Sequence, residues 1–165
     1  MPKSRRYLII SLCVLLAIGV AWLYLRGSTP VIPQAIKRGY SEALIQAREG
    51  RPGAARVLYQ QLARPDISPK RRIWLHAELP NYPSSVALKL ADADLQHPSA
   101  NVRIAAIQSI SGLVPGGQRS LLLGPLLDDS DQSVRFAAVN ALLGLSPDNL
   151  GLYFGPLQQA VDAWK

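Results

Sequence analysis

The sequence predicts an all-α fold, a helical-hairpin solenoid behind one N-terminal transmembrane helix, and three observations predict it. An uncharged run of nineteen residues, Tyr7–Leu25, is fenced by Lys3, Arg5 and Arg6 on one side and Arg26 on the other. From Ala35 onward apolar residues recur at helical spacing, broken by Gly and Pro, and nothing alternates long enough to make a strand. Finally, Asn101–Pro115 reads NVRIAAIQSISGLVP, and thirty-two residues later Ser133–Pro147 reads SVRFAAVNALLGLSP.

The first element is the apolar run. A helix rises about 1.5 Å per residue and needs roughly 20 apolar residues to cross the hydrocarbon core, so this run is just long enough. Tyr7 at one end and Trp22 and Tyr24 at the other suit the two interfaces, with Leu16 in the middle of the span. Gly19-Val20-Ala21 also offers small residues at the spacing of a signal-cleavage site. Apolar residues continue through Trp22-Leu23-Tyr24-Leu25, which a cleaved signal does not need, and this favours an uncleaved signal-anchor. The cations before the span place the amino terminus in the cytoplasm, although Lys37 and Arg38 dilute the asymmetry and keep the opposite orientation open. In a bacterium the remainder would then be periplasmic, on a single-pass inner-membrane protein. Cys13 lies inside the span and is the sole cysteine, so burial alone must stabilise the exported part.

Residues 1–26 are thus the anchor, 27–34 (GSTPVIPQ) a linker whose prolines oppose helix, and 35–165 the solenoid. A first helix is expected over Ala35–Glu49, ended by Gly50-Arg51-Pro52, and a second over Gly53–Ala63 with Ala55, Leu58, Tyr59 and Leu62 on one stripe. A third begins at Ser68 with Pro69 in its first turn, turns Ile73, Trp74, Ala77 and Leu79 inward, and ends at Pro80. A fourth covers Pro83–Leu95 and uses Val86, Leu90 and Ala93. The fifth is Asn101–Pro115, with Val102, Ala105, Ala106, Ile110 and Leu113 on a face too wide to leave in water. The sixth is Gln118–Leu127, the seventh Ser133–Pro147, and an eighth starts within Pro147–Gly155 and continues as PLQQAVDAWK.

The two quoted stretches share seven of fifteen residues, and Ile104/Phe136, Ile107/Val139 and Ile110/Leu142 stay apolar. A period of this size in a helical chain indicates stacked hairpins, each burying one face on the preceding unit and one on the next. The third helix looks like a degenerate earlier copy, with Arg72-Ile73 standing for Arg103-Ile104. The clearest units are about 83–115 and 118–147.

On HPSANVRIAAIQSISGL and DDSDQSVRFAAVNALLGL the chain resembles the HEAT-repeat family, in its short bacterial type related to phycobilisome-lyase repeats. Each copy has a polar turn, Val-Arg, an Ala-Ala pair and Gly-Leu. The resemblance implies that Arg103 and Arg135 bond to an acidic or backbone group in the repeat turn, and that Asp131 opens the second helix of a unit. Val102 and Val134, with Ala106 and Ala138, would be packing positions. The earlier copy has Ser99 or Ala100 where the acid belongs, which puts a repeated Arg–Asp ladder in doubt.

No constellation for chemistry is discernible. His76 and His97 are the only histidines and have no cysteine nearby, so no metal is expected. DDSDQSV lacks the glycine and terminal glutamate of a calcium loop, and helix capping explains its acids. VPGGQRS lacks the Gly-Lys-Ser ending of a phosphate loop. No serine is spaced recognisably with a histidine and an acid, so neither catalysis nor a cofactor is expected.

Charge is uneven: residues 35–89 hold ten Lys/Arg against four acids, and residues 90–165 hold four against seven. Lys70-Arg71-Arg72 beside Trp74 would suit phosphate, but export removes nucleic acid as a partner; anionic headgroups fit better, beside the bland reading of a solvated face. Leu157, Val161 and Trp164 form an apolar stripe on the last helix that either folds back as a cap, docks a partner or joins further repeats. The expected role is a scaffold or accessory subunit binding protein partners within a membrane complex, held to the bilayer by its first helix. The alternatives are a lyase-like or chaperone module for cofactor or pigment attachment, and a soluble periplasmic binder released by cleavage.

Overall fold

A computed structural model describes residues 3–27 and 34–165 of the chain; it is all-α, with no strand among the described residues. Two units are compact in themselves, residues 1–38 and residues 39–165.

The first unit contains α1, Lys3–Gly27. Its segment Lys3–Tyr24 is 22 residues long and contains an 18-residue stretch of mean hydropathy 2.3, long and apolar enough to cross a membrane. Such a segment rises about 33 Å against a hydrocarbon core of about 30 Å. Tyr7, Leu16, Trp22 and Tyr24 are all exposed along it, as side chains that lipid would cover must be. The linker expected at 27–34 lies outside the described residues except at its ends, where Gly27 closes α1 and Gln34 opens α2.

A run of short helices follows, the first of them beginning in the first unit and the rest lying in the second: α2 (Gln34–Glu49), α3 (Ala54–Leu62), α4 (Pro69–Glu78), α5 (Ser85–Asp94), α6 (Ala100–Leu113), α7 (Gly116–Leu123), α8 (Gln132–Leu142), α9 (Pro147–Leu150) and α10 (Phe154–Asp162). Their starts are set by polar caps. Ser68, Ser84, Asp131 and Ser146 each accept a backbone N–H from the first turn of α4, α5, α8 and α9. Pro125 makes the expected sixth helix give way: α7 stops at Leu123 and a 3₁₀ turn, Gly124–Asp128, follows. The expected eighth helix likewise divides into α9, a 3₁₀ turn at Gly151–Tyr153, and α10.

The repeated helices pack on one another, α6 against both α4 and α8, while α5 packs on α6 and α7 on α8. Leu75, Leu79, Ala106, Ile107, Ile110, Val134, Ala138 and Leu142 are buried along this line, and Val102 is fully buried beside them. Each fully buried Leu or Ile side chain contributes about 1.5–3 kcal/mol of transfer free energy. The small Ala105-Ala106 and Ala138 positions let the helix axes approach.

Two faces differ from expectation by one residue. In α4 the core takes Arg72, Leu75 and His76, leaving Trp74 and Ala77 exposed and Ile73 half-buried. In α5 it takes Ala87, Ala91 and Asp94, leaving Val86 and Ala93 exposed. The cause is a buried polar cluster, which draws charged side chains inward and turns apolar ones out. Ala54 likewise replaces Ala55 as the buried small residue of α3.

The shared glycine of the repeat serves two different needs. A Cβ on Gly112 would stand 2.8 Å from Pro80 Cβ, so α6 needs glycine for close approach to the turn after α4. Gly144, thirty-two residues on, meets nothing but has φ +86°, the left-handed conformation that ends α8.

Candidate functional site

Between α6 and α8 lies an open groove of about 570 Å³. Its floor is apolar, from Ile104, Ile107, Phe136 and Ala137, and Gln108 and Asn140 stand on it as exposed amides. Phe136 is 48% exposed. Its ring stacks on Trp164, two residues past α10, with centroids 4.7 Å apart and planes at 14°, so a second aromatic covers one face of this groove residue, although Trp164 itself does not line the groove. Gln108 and Asn140 are thirty-two residues apart and therefore occupy one position of the repeat. Each amide offers a donor and an acceptor, the pair of groups that a peptide backbone presents. Periodicity assigns these two residues no role, although Gln and Asn match in the two quoted stretches.

The repeat turns are held by their arginines. Arg103 Nη1 donates to the carbonyls of His97 (2.8 Å) and Pro98 (3.2 Å), and Arg135 Nη1 donates to those of Asp129 (2.7 Å) and Ser130 (3.3 Å). The two arginines thus reach back over the same spacing. Arg103 also reaches forward to Asp129 Oδ1 at 3.0 Å, bridging one repeat turn to the next. Asp131 caps α8 through the N–H groups of Ser133 and Val134, and Asp129 accepts from the N–H of Asp131. Where the earlier copy lacks an acid, His97 takes the place of Asp129: its Nδ1 accepts the N–H of Ser99 at 3.0 Å. That bond needs a lone pair on Nδ1. Burial holds His97 below the usual histidine range, with the cations Arg72 and Arg103 working against the pull of Asp94. Arg119, on which the repeat pattern is silent, collects the carbonyls of Ser111, Val114 and Ala141 at the carboxyl ends of α6 and α8.

Arg72, expected on a partner or membrane surface with Lys70 and Arg71, is only 6% exposed. It lies in a polar cluster linking α4, α5 and α6. Nη1 is 2.9 Å from Asp94 Oδ2 and 2.9 Å from the carbonyl of Leu62, and Nη2 bonds to the carbonyl of Arg64. His76 Nε2 shares the same Asp94 oxygen, and His76 Nδ1 lies 3.2 Å from Ser109 Oγ. Burial pushes the Asp94 carboxyl up, but the hydrogen bonds and charges of His76 and Arg72 outweigh it and hold the group below the ordinary carboxylate range. The fold therefore brings a serine, a histidine and an aspartate together where the sequence showed no such spacing.

The chemistry of this trio is structural. Ser109 and His76 are each 1% exposed, and Ser109 donates its proton to the carbonyl of His76 at 2.8 Å. The hydroxyl is therefore already committed, and no substrate can reach it. A buried cation must be paired, and the cluster meets that need. Among the described residues no three His, Cys, Asp or Glu gather to hold a metal ion.

Of the three alternatives for the terminal stripe, the packing of Leu157 and Val161 matches a helix folded back on α8. Leu157 is 7% exposed, Val161 packs at the edge of the core and α10 lies on α8, so Leu157 and Val161 serve the fold, and Trp164 stacks on Phe136. Comparison with protein-family models, with curated proteins and with solved structures gives no match.

Proposed function

We propose that this protein is a membrane-anchored scaffold or accessory subunit, without catalytic activity of its own, that holds an extended segment of a protein partner in the groove between α6 and α8. One observation carries the reading: repeat-equivalent amides, Gln108 and Asn140, stand over an apolar floor with the Phe136–Trp164 stack beside them. Amides in register satisfy peptide N–H and C=O groups whatever the sequence bound, and exposed aromatics supply an anchor. The packing of α4, α6 and α8 supports a HEAT-like solenoid, an architecture that presents extended surfaces for partners. The cations Lys3, Arg5 and Arg6 at the start of α1, ahead of its apolar run, support a bacterial inner-membrane protein with a cytoplasmic amino terminus and a periplasmic repeat domain.

The test is purification of the intact chain from its native membrane in mild detergent, beside Phe136→Asp. A partner that co-purifies in fixed ratio with the wild type and is lost from the variant supports the reading. Recovery of the wild type as a lone chain, or equal recovery of the partner with the variant, opposes it.

A further inference from the structure

Exposed Arg48 and Lys70 and half-buried Arg71, on α2 and α4, form one patch with half-buried Tyr40 and exposed Trp74. Tyr40 and Arg48 lie on α2, two helical turns apart; Lys70, Arg71 and Trp74 lie on the first turns of α4. The Arg71 guanidinium stands over the Tyr40 ring at 5.2 Å, and that of Arg48 over the Trp74 ring at 5.5 Å. Trp74 is 47% exposed, a large cost in water for a side chain that the core did not take. One acid adjoins the patch, Glu78, paired to Arg48 at 3.3 Å. Lys70 and Arg71 are left with their charge uncompensated by any acid among the described residues.

We propose that this patch docks on the anionic headgroups of the bilayer in which α1 is anchored, an inference that rests on the membrane reading above. Three features select that partner over another protein. Arg and Lys with Tyr and Trp are the side chains that settle at headgroup level, where the ring faces acyl chains and the cation faces phosphate. The aromatics are already sandwiched with cations, so the patch offers a mixed surface and no dry apolar anchor for a protein interface. Six residues separate the end of α1 from the start of α2, a covalent reach of at most about 25 Å, and α2 itself carries two of the five patch residues, Tyr40 and Arg48. The high local concentration that such a short tether enforces makes a weak electrostatic contact sufficient.

The experiment uses the full chain in nanodiscs of phosphatidylglycerol and phosphatidylcholine, with one tryptophan retained in each of three variants. Trp22 alone reports insertion through quenching by brominated acyl chains, Trp74 alone reports docking through a headgroup spin label, and Trp164 alone is the control. The proposal expects Trp74 to be quenched more than Trp164 by the headgroup label, in anionic discs only, with the difference lost near 1 M salt, where the screening length falls to about 3 Å. Lys70→Gln with Arg71→Gln should lower the docked-to-undocked ratio roughly thirty-fold, at about fivefold per cation near the surface. Quenching of Trp22 without any excess at Trp74 overturns the docking alone. Absence of quenching at Trp22 overturns the anchor, and the docking with it.

Discussion

The buried cluster around Asp94 allows a prediction of stated size. Asp94 and Arg72 side chains are 10% and 8% exposed, and their charged atoms are 2.9 Å apart. At an effective dielectric of about 20, that separation is worth on the order of 6 kcal/mol before desolvation is subtracted. Asp94→Ala leaves the Arg72 guanidinium without its carboxylate and His76 Nε2 without an acceptor, in a place that water does not reach. Removing one partner of a buried pair costs about 3–5 kcal/mol, a large share of the 5–15 kcal/mol typical of a domain. With a urea slope of about 2 kcal/mol per molar, the midpoint for the full chain in detergent should fall by about 2 M. Asp66→Asn is the control, because its bond to Arg64 stands in solvent, and it should leave the midpoint unmoved. A shift for Asp94→Ala no larger than that of the control would refute the assignment of the cluster to stability.

Acid should act through the same residue. The Asp94 carboxyl is depressed in the fold, so the unfolded state takes up its proton first as pH falls. Its contribution is complete above the unfolded carboxylate value of about 3.9 and is lost as pH drops through the lower folded value; the acid limb of an unfolding profile should flatten in Asp94→Ala. His97 is also depressed, so it stabilises the fold above its unfolded value of about 6.5 and loses that contribution below it. His97→Asp keeps an acceptor for the Ser99 N–H and should abolish that slope, whereas His97→Ala should cost about 1 kcal/mol as a lost cap. Gly112→Ala should destabilise by about 1–3 kcal/mol by overpacking against Pro80, and Gly144→Ala by about 1 kcal/mol through its left-handed backbone, both read from thermal melts.

The helical class and the repeat were legible because periodicity and near-identity are local signals. Val102, Ala106, Val134 and Ala138 are buried where their spacing put them. The faces of α4 and α5 were not legible, since they depend on Arg72 finding Asp94, twenty-two residues away and on another helix. Hydrophobicity alone assigns Trp74 to the core and His76 to water; the pairing of a buried charge reverses both. The Ser109–His76–Asp94 contact was invisible for the same reason. The groove was half legible: Phe136 stood where Ile104 predicted an apolar residue, while Trp164 meets the Phe136 ring only because α10 folds back on α8. His97 standing in for Asp129 shows how a position that looks like a departure from the repeat can keep its hydrogen bond.

The most direct measurement for the central claim is site-specific photo-crosslinking in native membranes, with a photoreactive residue at Asn140, at Gln108, or at exposed Arg56 on α3. A scaffold that holds one segment in this groove predicts adducts from positions 140 and 108 that map to neighbouring residues of a single partner peptide, and none from position 56. Adducts of equal yield at all three positions, or none at 140 and 108, would contradict it.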